Sequence, residues 1–295
     1  MPSHLYTPLR YPGGKAKLGP FLSQLLRANR LADCCLAEPY AGGAGASLFL
    51  LFRGYAKSVV LNDIDPGVFA FWRAVLRYGD RFAARIHKVP LTVKQWDHQK
   101  AVLADGTSSV FDRGFAFFYL NRTNRSGILN GGIIGGRDQS GPYKIDARFN
   151  RSDLANRVRA LGTMKRSITI SSLDAMSFLT EFRLRRTTTP RFVYLDPPYF
   201  EKGSVLYTTF YTTESHAAIA RRLRRYPLPW VLTYDDCREI RELYAEFNPR
   251  SSEISYSARE VRRGKELIIL SRDLRLPRRE PPVTHSRGIP GFQLR

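Results

Sequence analysis

Short apolar runs alternate with amphipathic stretches through the first quarter of the chain. This pattern predicts strands at Cys34–Ala37 and Ser58–Leu61, and helices at Ala46–Phe52 and Pro66–Tyr78. Proline at the start of the second helix suits a first helical turn, because no intrahelical hydrogen bond is lost there. A strand–helix–strand–helix order is typical of a parallel sheet covered by helices.

The same alternation resumes after Lys165. The predicted elements are, in order, a strand at Ser167–Ser171, a helix at Ala175–Phe182, a strand at Arg191–Leu195, a helix at Glu214–Arg225, a strand at Trp230–Tyr234 and a helix at Asp236–Glu246. Two final segments, Ser252–Ser257 and Leu267–Ser271, flank an arginine-rich turn and predict a hairpin. The hydrophobic pattern therefore predicts an α/β fold.

A different kind of region separates these two halves. It contains a predicted helix, Val110–Leu120, followed by residues 121–150, which are rich in glycine, asparagine and arginine. A loop of that length usually carries function or belongs to a subdomain. We therefore expect residues 1–84 and 165–276 to form one core, residues 85–164 an insertion, and residues 277–295, rich in proline and arginine, a basic disordered tail.

The charge balance indicates a polyanionic partner. Lysine and arginine number 47 against 26 acidic residues, a formal net charge of +21. Nucleic acid is the first expectation and an anionic membrane surface the second, while a generally arginine-rich proteome is the alternative. No apolar stretch approaches the length of about 18 residues that a membrane span needs, and the N-terminus has no apolar signal core. The three cysteines lack metal-type spacing, as expected in a reducing cytoplasm.

The sharpest chemical motif is Asp196-Pro197-Pro198-Tyr199, directly after an apolar strand. Ligands of open α/β sheets bind at the carboxyl ends of strands, where Asp196 would lie. The Asp196 carboxylate and the Pro197 carbonyl could hold the two hydrogens of an exocyclic amine such as adenine N6, and Tyr199 could stack on the ring. Methyl transfer from a sulfonium would then need no metal and no covalent nucleophile. The alternative is a proline-stiffened turn carrying a surface acid.

Two glycine-rich segments suit ligand binding. Residues 38–45, Glu-Pro-Tyr-Ala-Gly-Gly-Ala-Gly, lie between a predicted strand and a predicted helix. Nucleotide, flavin and nicotinamide sites share a glycine-rich turn in this position, and a purely structural turn would have the same sequence pattern. Asp63, ending the next strand, fits either a ribose ligand or a helix cap. Residues 9–15, Leu-Arg-Tyr-Pro-Gly-Gly-Lys, could cradle a carboxylate or phosphate, and alone would be interpreted as a loop.

From Leu9 to Ser271, the order of these motifs resembles the Dam-like (D12 class) adenine-N6 DNA methyltransferases of bacteria and phages. The resemblance implies a Rossmann-like S-adenosylmethionine-dependent methyltransferase fold with an inserted, largely helical target-recognition subdomain. It implies transfer of a methyl group from S-adenosyl-L-methionine to N6 of a flipped adenine in duplex DNA, giving S-adenosyl-L-homocysteine. Residues 1–84 would then be the cofactor-binding part, 85–164 the target-recognition insertion and 165–276 the catalytic part.

The resemblance also assigns residues. Asp196, Pro197 and Tyr199 match the catalytic motif. Cofactor contacts are implied for Tyr11, Lys15 (near the methionine carboxylate), Glu38, Gly42, Gly43 and Gly45 (the methionine side), Asp63 (the ribose), Asp174 (the adenine) and Asp196. Further matches are Phe118 to Thr123, Lys144 to Asn150, Lys202-Gly203, Phe210-Tyr211, His216 and Gly264 to Leu267. We interpret His216 as structural rather than as a general base.

DNA contacts are expected in the insertion, mostly to phosphate. The candidates are Asn121, Arg122, Asn124, Arg125, Arg137, Lys144, Arg148 and Arg151. Relatives often carry an aromatic wedge after Asn121-Arg122, and here Arg125 would either fill the gap of the flipped base or contact phosphate.

Other readings stay open. Cytosine N4 or RNA methylation uses nearly the same chemistry, and a DNA-binding module that has lost catalysis is a third hypothesis. The sequence leaves open the recognition site and whether the protein has a cognate nuclease, serves in phage defence or acts alone. We expect a monomer acting in the cytoplasm at the nucleoid.

Overall fold

A seven-stranded sheet runs through the computed structural model, which describes residues 6–11, 15–200, 211–258 and 260–277. The strands are β1 (Cys34–Glu38), β2 (Ala56–Asn62), β3 (Ile168–Ser171), β4 (Arg191–Leu195), β5 (Trp230–Asp235), β6 (Arg250–Ala258) and β7 (Glu260–Leu270). Their order across the sheet is β3-β2-β1-β4-β5-β7-β6. The first five pair in parallel, and β7 lies antiparallel to both β5 and β6.

Helices cover both faces of the sheet and fill the region between β2 and β3. They are α1 (Gly19–Ala28), α2 (Gly45–Phe52), α3 (Pro66–Lys88), α4 (Val93–Ala104), α5 (Val110–Thr123), α6 (Arg151–Thr163), α7 (Ala175–Leu184), α8 (Thr213–Arg224) and α9 (Arg238–Leu243). No helix of the described ranges is both long and apolar enough to span a bilayer.

Strand β4 shows how the sequence produces two cores from one sheet. Successive side chains of a strand point to opposite faces. Phe192 and Tyr194 accordingly pack in the core beneath α1, α2 and α3, whereas Val193 and Leu195 pack in the core beneath α7 and α8. Burial on both faces explains the continuous apolar run, as is usual for parallel strands. The fold is Rossmann-like α/β, as predicted.

The inserted region packs along α3. That helix was predicted to end at Tyr78, where the backbone leaves helical geometry (φ −131°, ψ 36°), but it resumes after this kink and continues to Lys88. Gly114 lets α5 approach α3 closely, because a Cβ there would lie 2.4 Å from the Ala70 carbonyl oxygen. Phenylalanines of both helices pack against one another at the crossing, with Phe82 and Phe118 edge-to-face.

The N-terminal segment also docks on the insertion. Asn121 on α5 accepts a hydrogen bond from the Arg10 amide at 2.7 Å and donates to the Arg10 carbonyl at 2.7 Å. Arg157 on α6 donates to the Thr7 carbonyl at 3.0 Å. Thr7 and Arg10 are therefore held by residues more than a hundred positions away.

Differences from the prediction lie mainly in helices. Helices α1, α4 and α6 were not predicted, and the hairpin strands are longer than expected. The disordered tail predicted for residues 277–295 lies, beyond residue 277, outside the described residues.

Candidate functional site

Asp196 lies immediately after β4, at the carboxyl edge of the parallel strands, with its side chain 19% exposed. Its Oδ1 atom accepts a hydrogen bond from the Thr233 hydroxyl of β5 at 2.7 Å, and Lys15 Nζ lies 3.4 Å from the same oxygen. Burial raises the pKa of Asp196 to about 6, with Lys15 opposing the shift and Glu266 adding to it. At neutral pH the group is therefore an ionised acceptor.

The backbone that follows Asp196 is anchored to the same neighbouring strand. The Phe200 amide donates to Asp235 Oδ1 at 3.0 Å, and Asp235 is the last residue of β5. Thr233 and Asp235 are two positions apart, so their side chains leave the same face of β5. Neither was singled out in the sequence, although two polar residues at the end of an apolar strand were the available signal.

Lys15 lies against the Asp-Pro-Pro-Tyr motif. Its ammonium donates to Glu266 Oε1 at 2.7 Å and to the Tyr199 hydroxyl, and lies 4.9 Å from the centroid of the Tyr199 ring. The Tyr199 hydroxyl in turn donates to Glu266 Oε1. Burial alone would lower the pKa of Lys15, but the charges of Asp196 and Glu266 raise it above its usual value. This ammonium, expected beside the methionine carboxylate, joins the N-terminal motif to the residues predicted to be catalytic.

The glycine turn after β1 is folded against Tyr11. Gly42 has a left-handed backbone (φ +44°), and a Cβ there would lie 2.8 Å from the Tyr11 ring. The Gly42 amide donates to Asp63 Oδ2 at 2.8 Å, and Trp72 Nε1 donates to the Gly42 carbonyl at 2.9 Å. The turn thus brings residues of three motifs together, although Pro12, Gly13 and Gly14 lie outside the described residues.

The other two glycines of the turn also allow close approaches. A Cβ at Gly43 would lie 3.3 Å from the Tyr11 ring, and one at Gly45 would lie 3.1 Å from the Ala16 amide nitrogen. Gly45 begins α2, so this contact sets how closely α2 approaches the turn that begins at Lys15. A side chain at Gly43 or Gly45 would therefore push against Tyr11 or the Ala16 backbone.

Two acids end neighbouring strands beside this turn. Glu38, 3% exposed, accepts a hydrogen bond from the Ser47 hydroxyl, and burial together with the charges of Asp196 and Asp63 holds its pKa well above the usual range. Burial raises the pKa of Asp63 to about 7, against the bonds it accepts from the Gly42 and Asp65 amides. Asp65, not Asp63, caps α3, so the helix-cap interpretation of Asp63 was wrong.

Asp174 lies at the far end of the same edge. It is exposed and caps α7 by accepting from the amides of Met176 and Ser177 at 2.7 and 3.0 Å. Burial raises the pKa of Tyr211, with the charges of Asp174 and Asp63 contributing. Along the carboxyl edge of the sheet, the strand-end acids, at or just after the ends of β3, β2, β1 and β4, come in the order Asp174, Asp63, Glu38 and Asp196.

His216 is set back from the reacting edge. It is 1% exposed, its Nδ1 lies 2.6 Å from the Tyr234 hydroxyl, and its ring packs against Phe200 and Tyr211. Burial lowers its pKa. These contacts support a structural role, with the His216 ring packed among Phe200, Tyr211 and Tyr234. Lys202, Gly203 and Phe210 lie outside the described residues.

Two predicted DNA contacts are buried. Asn121 is 1% exposed and, besides Arg10, donates to the Gly127 carbonyl at 2.9 Å. Asn124 is fully buried, accepts from Trp96 Nε1 at 2.6 Å and donates to the Ile128 and Leu129 carbonyls. Their polar atoms hold the loop in shape, which corrects the expectation that these side chains touch DNA.

The predicted basic contacts differ in how far they are already engaged. Arg122 is half-buried and donates to the Arg148 carbonyl at 2.7 Å, and burial and the nearby Arg10 lower its pKa to about 9. Arg137 makes two 2.8 Å bonds to Asp97. The exposed members of the set are Arg125, Arg137, Lys144 and Arg148. Arg151, by contrast, donates to the carbonyls that end α3.

Comparison with known proteins identifies a family for this chain. A family model described as D12 class N6 adenine-specific DNA methyltransferase matches residues 11–257, most of the chain. A solved structure of the putative methyltransferase yhhF from Escherichia coli covers 86% of this chain and 85% of its own, with 13% identity and a TM-score of 0.30, too low to support an argument. No curated protein matches the chain.

Proposed function

The chain belongs to the D12 class N6 adenine-specific DNA methyltransferase family, and we propose that it transfers a methyl group from S-adenosyl-L-methionine to N6 of an adenine flipped out of duplex DNA. The main support is the position of Asp196, at the sheet edge between the Glu38–Gly45 turn and the Lys15–Tyr199–Glu266 cluster. The product would be S-adenosyl-L-homocysteine.

Asp196 is suited to receive the target amine. Both of its described polar contacts fall on Oδ1, so we assign Oδ2, with the Pro197 carbonyl, to the two hydrogens of N6. An ionised acceptor there orients the amine and draws electron density towards nitrogen, and Thr233 keeps the carboxylate from rotating. Positioning and electrostatics of this kind supply rate without a covalent intermediate.

The strand-end acids fit the chemistry of the cofactor. S-adenosyl-L-methionine, when bound, supplies an electrophilic methyl group on a sulfonium. We assign the methionine side to Glu38 and the glycine turn with Tyr11, the ribose hydroxyls to Asp63, and the adenine to Asp174, because carboxylates complement ammonium, hydroxyl and amine donors. Asp63 already receives the Gly42 amide, which fixes its orientation.

The target base must leave the duplex, at a cost of a few kcal/mol in stacking and pairing. We assign residues 85–164 to target recognition, with the exposed Arg125, Arg148 and Lys144 as phosphate or base contacts and Tyr199 as the stacking partner. Asn121 and Asn124 would shape the loop that presents Arg125. We expect a monomer that acts on nucleoid DNA in the cytoplasm, alone or with restriction or phage-defence components.

Methyl transfer to DNA tests this function directly. The purified chain is incubated with methyl-labelled S-adenosyl-L-methionine and adenine-containing duplex DNA, and the products are identified by nucleoside mass spectrometry. N6-methyladenine is expected from the wild type and none from Asp196→Ala, which should keep its fold and much of its affinity for DNA. N4-methylcytosine or methylated RNA as the product would overturn the assigned substrate, and absence of any cofactor heat in the wild type would favour a non-catalytic DNA-binding module.

A further inference from the structure

Glu266 lies behind the catalytic motif, on the antiparallel strand β7. We propose, on the basis of the function proposed above, that Glu266 is a positioning residue that draws Lys15 and Tyr199 into place and so keeps Asp196 available to the target amine. In the sequence it was noted only within a segment resembling the family's closing strand, without a role.

The Glu266 side chain reaches the site from a strand that itself follows the motif by more than sixty residues. Glu266 pairs with Asp235 across the β5–β7 ladder, which places it beside the end of β5. It is 1% exposed, and Oε1 accepts both the Lys15 ammonium at 2.7 Å and the Tyr199 hydroxyl. One oxygen thus fixes one residue from the N-terminal motif and one from the Asp-Pro-Pro-Tyr motif.

The environment of the second carboxylate oxygen, Glu266 Oε2, indicates that a contribution to stability does not by itself explain why a glutamate lies here. Oε2 is buried and has no hydrogen-bond partner within the part of the chain that the structure describes. A buried ion pair adds to stability only with good geometry and with its remaining lone pairs satisfied, and apolar replacements are often neutral or better. A half-satisfied carboxylate at this position is therefore more readily explained by what it does to its neighbours.

The main effect of Glu266 is on Lys15. Lys15 Nζ lies 2.7 Å from Glu266 but 3.4 Å from Asp196 Oδ1, so Glu266 is its closer carboxylate partner. Without the Glu266 charge, Asp196 would be the carboxylate closest to Lys15. The Lys15 ammonium would then compete with the N6 hydrogens of the target adenine for the Asp196 carboxylate. Glu266 also balances the Lys15 charge, so that Asp196 keeps a net negative charge where positive charge develops on the methylated nitrogen.

Several ionisable groups face Asp196, and their signs decide the expected pH dependence. They are Lys15 before α1, Glu38 of β1, Tyr194 of β4, Tyr199 of the motif, Tyr234 of β5 and Glu266 of β7. Besides burial, the Glu266 charge raises the pKa of Asp196, while Lys15 lowers it. Removing the Glu266 charge therefore lowers the pKa of Asp196, and the acid limb of the rate profile moves to lower pH.

Glu266→Gln separates positioning from a purely structural role. We expect kcat to fall by about tenfold or more, KM for S-adenosyl-L-methionine to change by less than about threefold, and the acid limb of kcat/KM to move to lower pH. Glu246→Gln is the control, since it removes a surface carboxylate paired with Arg224 and Arg272 away from the site. It should leave kcat and the acid limb unchanged.

Glu266→Asp keeps the test decisive if the glutamine variant does not fold. It retains the charge but withdraws the carboxylate by one methylene, so kcat should fall while the acid limb stays near its wild-type pH. Unchanged kcat in either folded variant, or a fall in kcat of Glu266→Gln with no movement of the acid limb, would overturn the positioning role. A wild type that makes no N6-methyladenine would instead overturn the proposed function itself.

Discussion

The Thr233 hydroxyl donates to Asp196 Oδ1 at 2.7 Å from the adjacent strand, and its hydrogen bond lowers the pKa of a carboxyl group that burial raises to about 6. The ionised form of Asp196 is the one that accepts the amine. Wild-type activity should therefore be lost as the pH falls through about 6.

Thr233→Val should move that acid limb to higher pH, because the carboxylate loses a donor that favours its charged form. It should also lower kcat by about tenfold, since the carboxylate can then rotate. Measuring kcat and kcat/KM between pH 5 and 8, a range of about three units around the titration of Asp196, gives both the fall in kcat and the position of the acid limb. Thr180→Val, at an exposed threonine that accepts from Arg222, is the control. An unmoved acid limb would show that Thr233 does not act on Asp196.

Gly42→Ala should weaken cofactor binding as well as stability. A left-handed alanine costs about 1–2 kcal/mol, and here its Cβ would also meet the Tyr11 ring at 2.8 Å. Gly54→Ala is the matched control, because Gly54 is also left-handed (φ +71°) but has open space around the position of a Cβ. Thermal unfolding and calorimetry with S-adenosyl-L-methionine should show lost affinity for Gly42→Ala alone. Equal affinities in the two variants would contradict a role of this turn in binding.

Asn121→Ala should destabilise the protein by about 2–4 kcal/mol, because the Arg10 amide, the Arg10 carbonyl and the Gly127 carbonyl all lose their partner. Urea unfolding measures the change. Asn156→Ala, at an exposed position of α6, should stay within about 0.5 kcal/mol of the wild type. If Asn121→Ala were as stable as that control, the docking of the N-terminal segment on α5 would contribute little.

Arg125→Ala should weaken duplex binding and reduce the slope of log affinity against log salt by about one, as expected when one phosphate contact is lost. Arg137→Ala should have a smaller effect, because Arg137 is already held by two bonds to Asp97. Anisotropy of a labelled duplex over a salt series distinguishes the two. A larger loss for Arg137 than for Arg125 would reverse this assignment.

The apolar strands could be predicted from the sequence because each buried strand is a run of consecutive apolar residues. Strands β1, β4 and β5 began within one residue of the prediction. Helix α4 was missed although Thr92 accepts from the Gln95 amide, a Thr-x-x-Gln start that was available as a signal. Helix α1 carried a weaker start signal in the sequence, because no side chain caps its first turn.

The candidate site divides in the same way. Asp196, Tyr199 and Lys15 stand in recognisable motifs, and the structure brings them together. Thr233 and Glu266 were not singled out: Thr233 had the signal of a polar residue ending an apolar strand, but the contacts of both residues depend on which strands neighbour β4 and β5. Asn121 and Asn124 misled for the opposite reason: a polar residue in an arginine-rich loop suggests the surface, and only the packing of α4, α5 and the N-terminal segment shows their burial.

The bonds from Asn121 to Arg10 bear on how such enzymes could exchange their specificity. The Asn121 side chain in the insertion makes two hydrogen bonds to the Arg10 backbone, across 111 positions of sequence. A chimera that replaced residues 85–164 with those of a relative could remove the hydrogen-bond partner of the Arg10 backbone. Transplanting residues 6–11 as well would keep the two segments matched. New recognition sequences should therefore be inherited as a two-piece unit, the insertion together with residues 6–11.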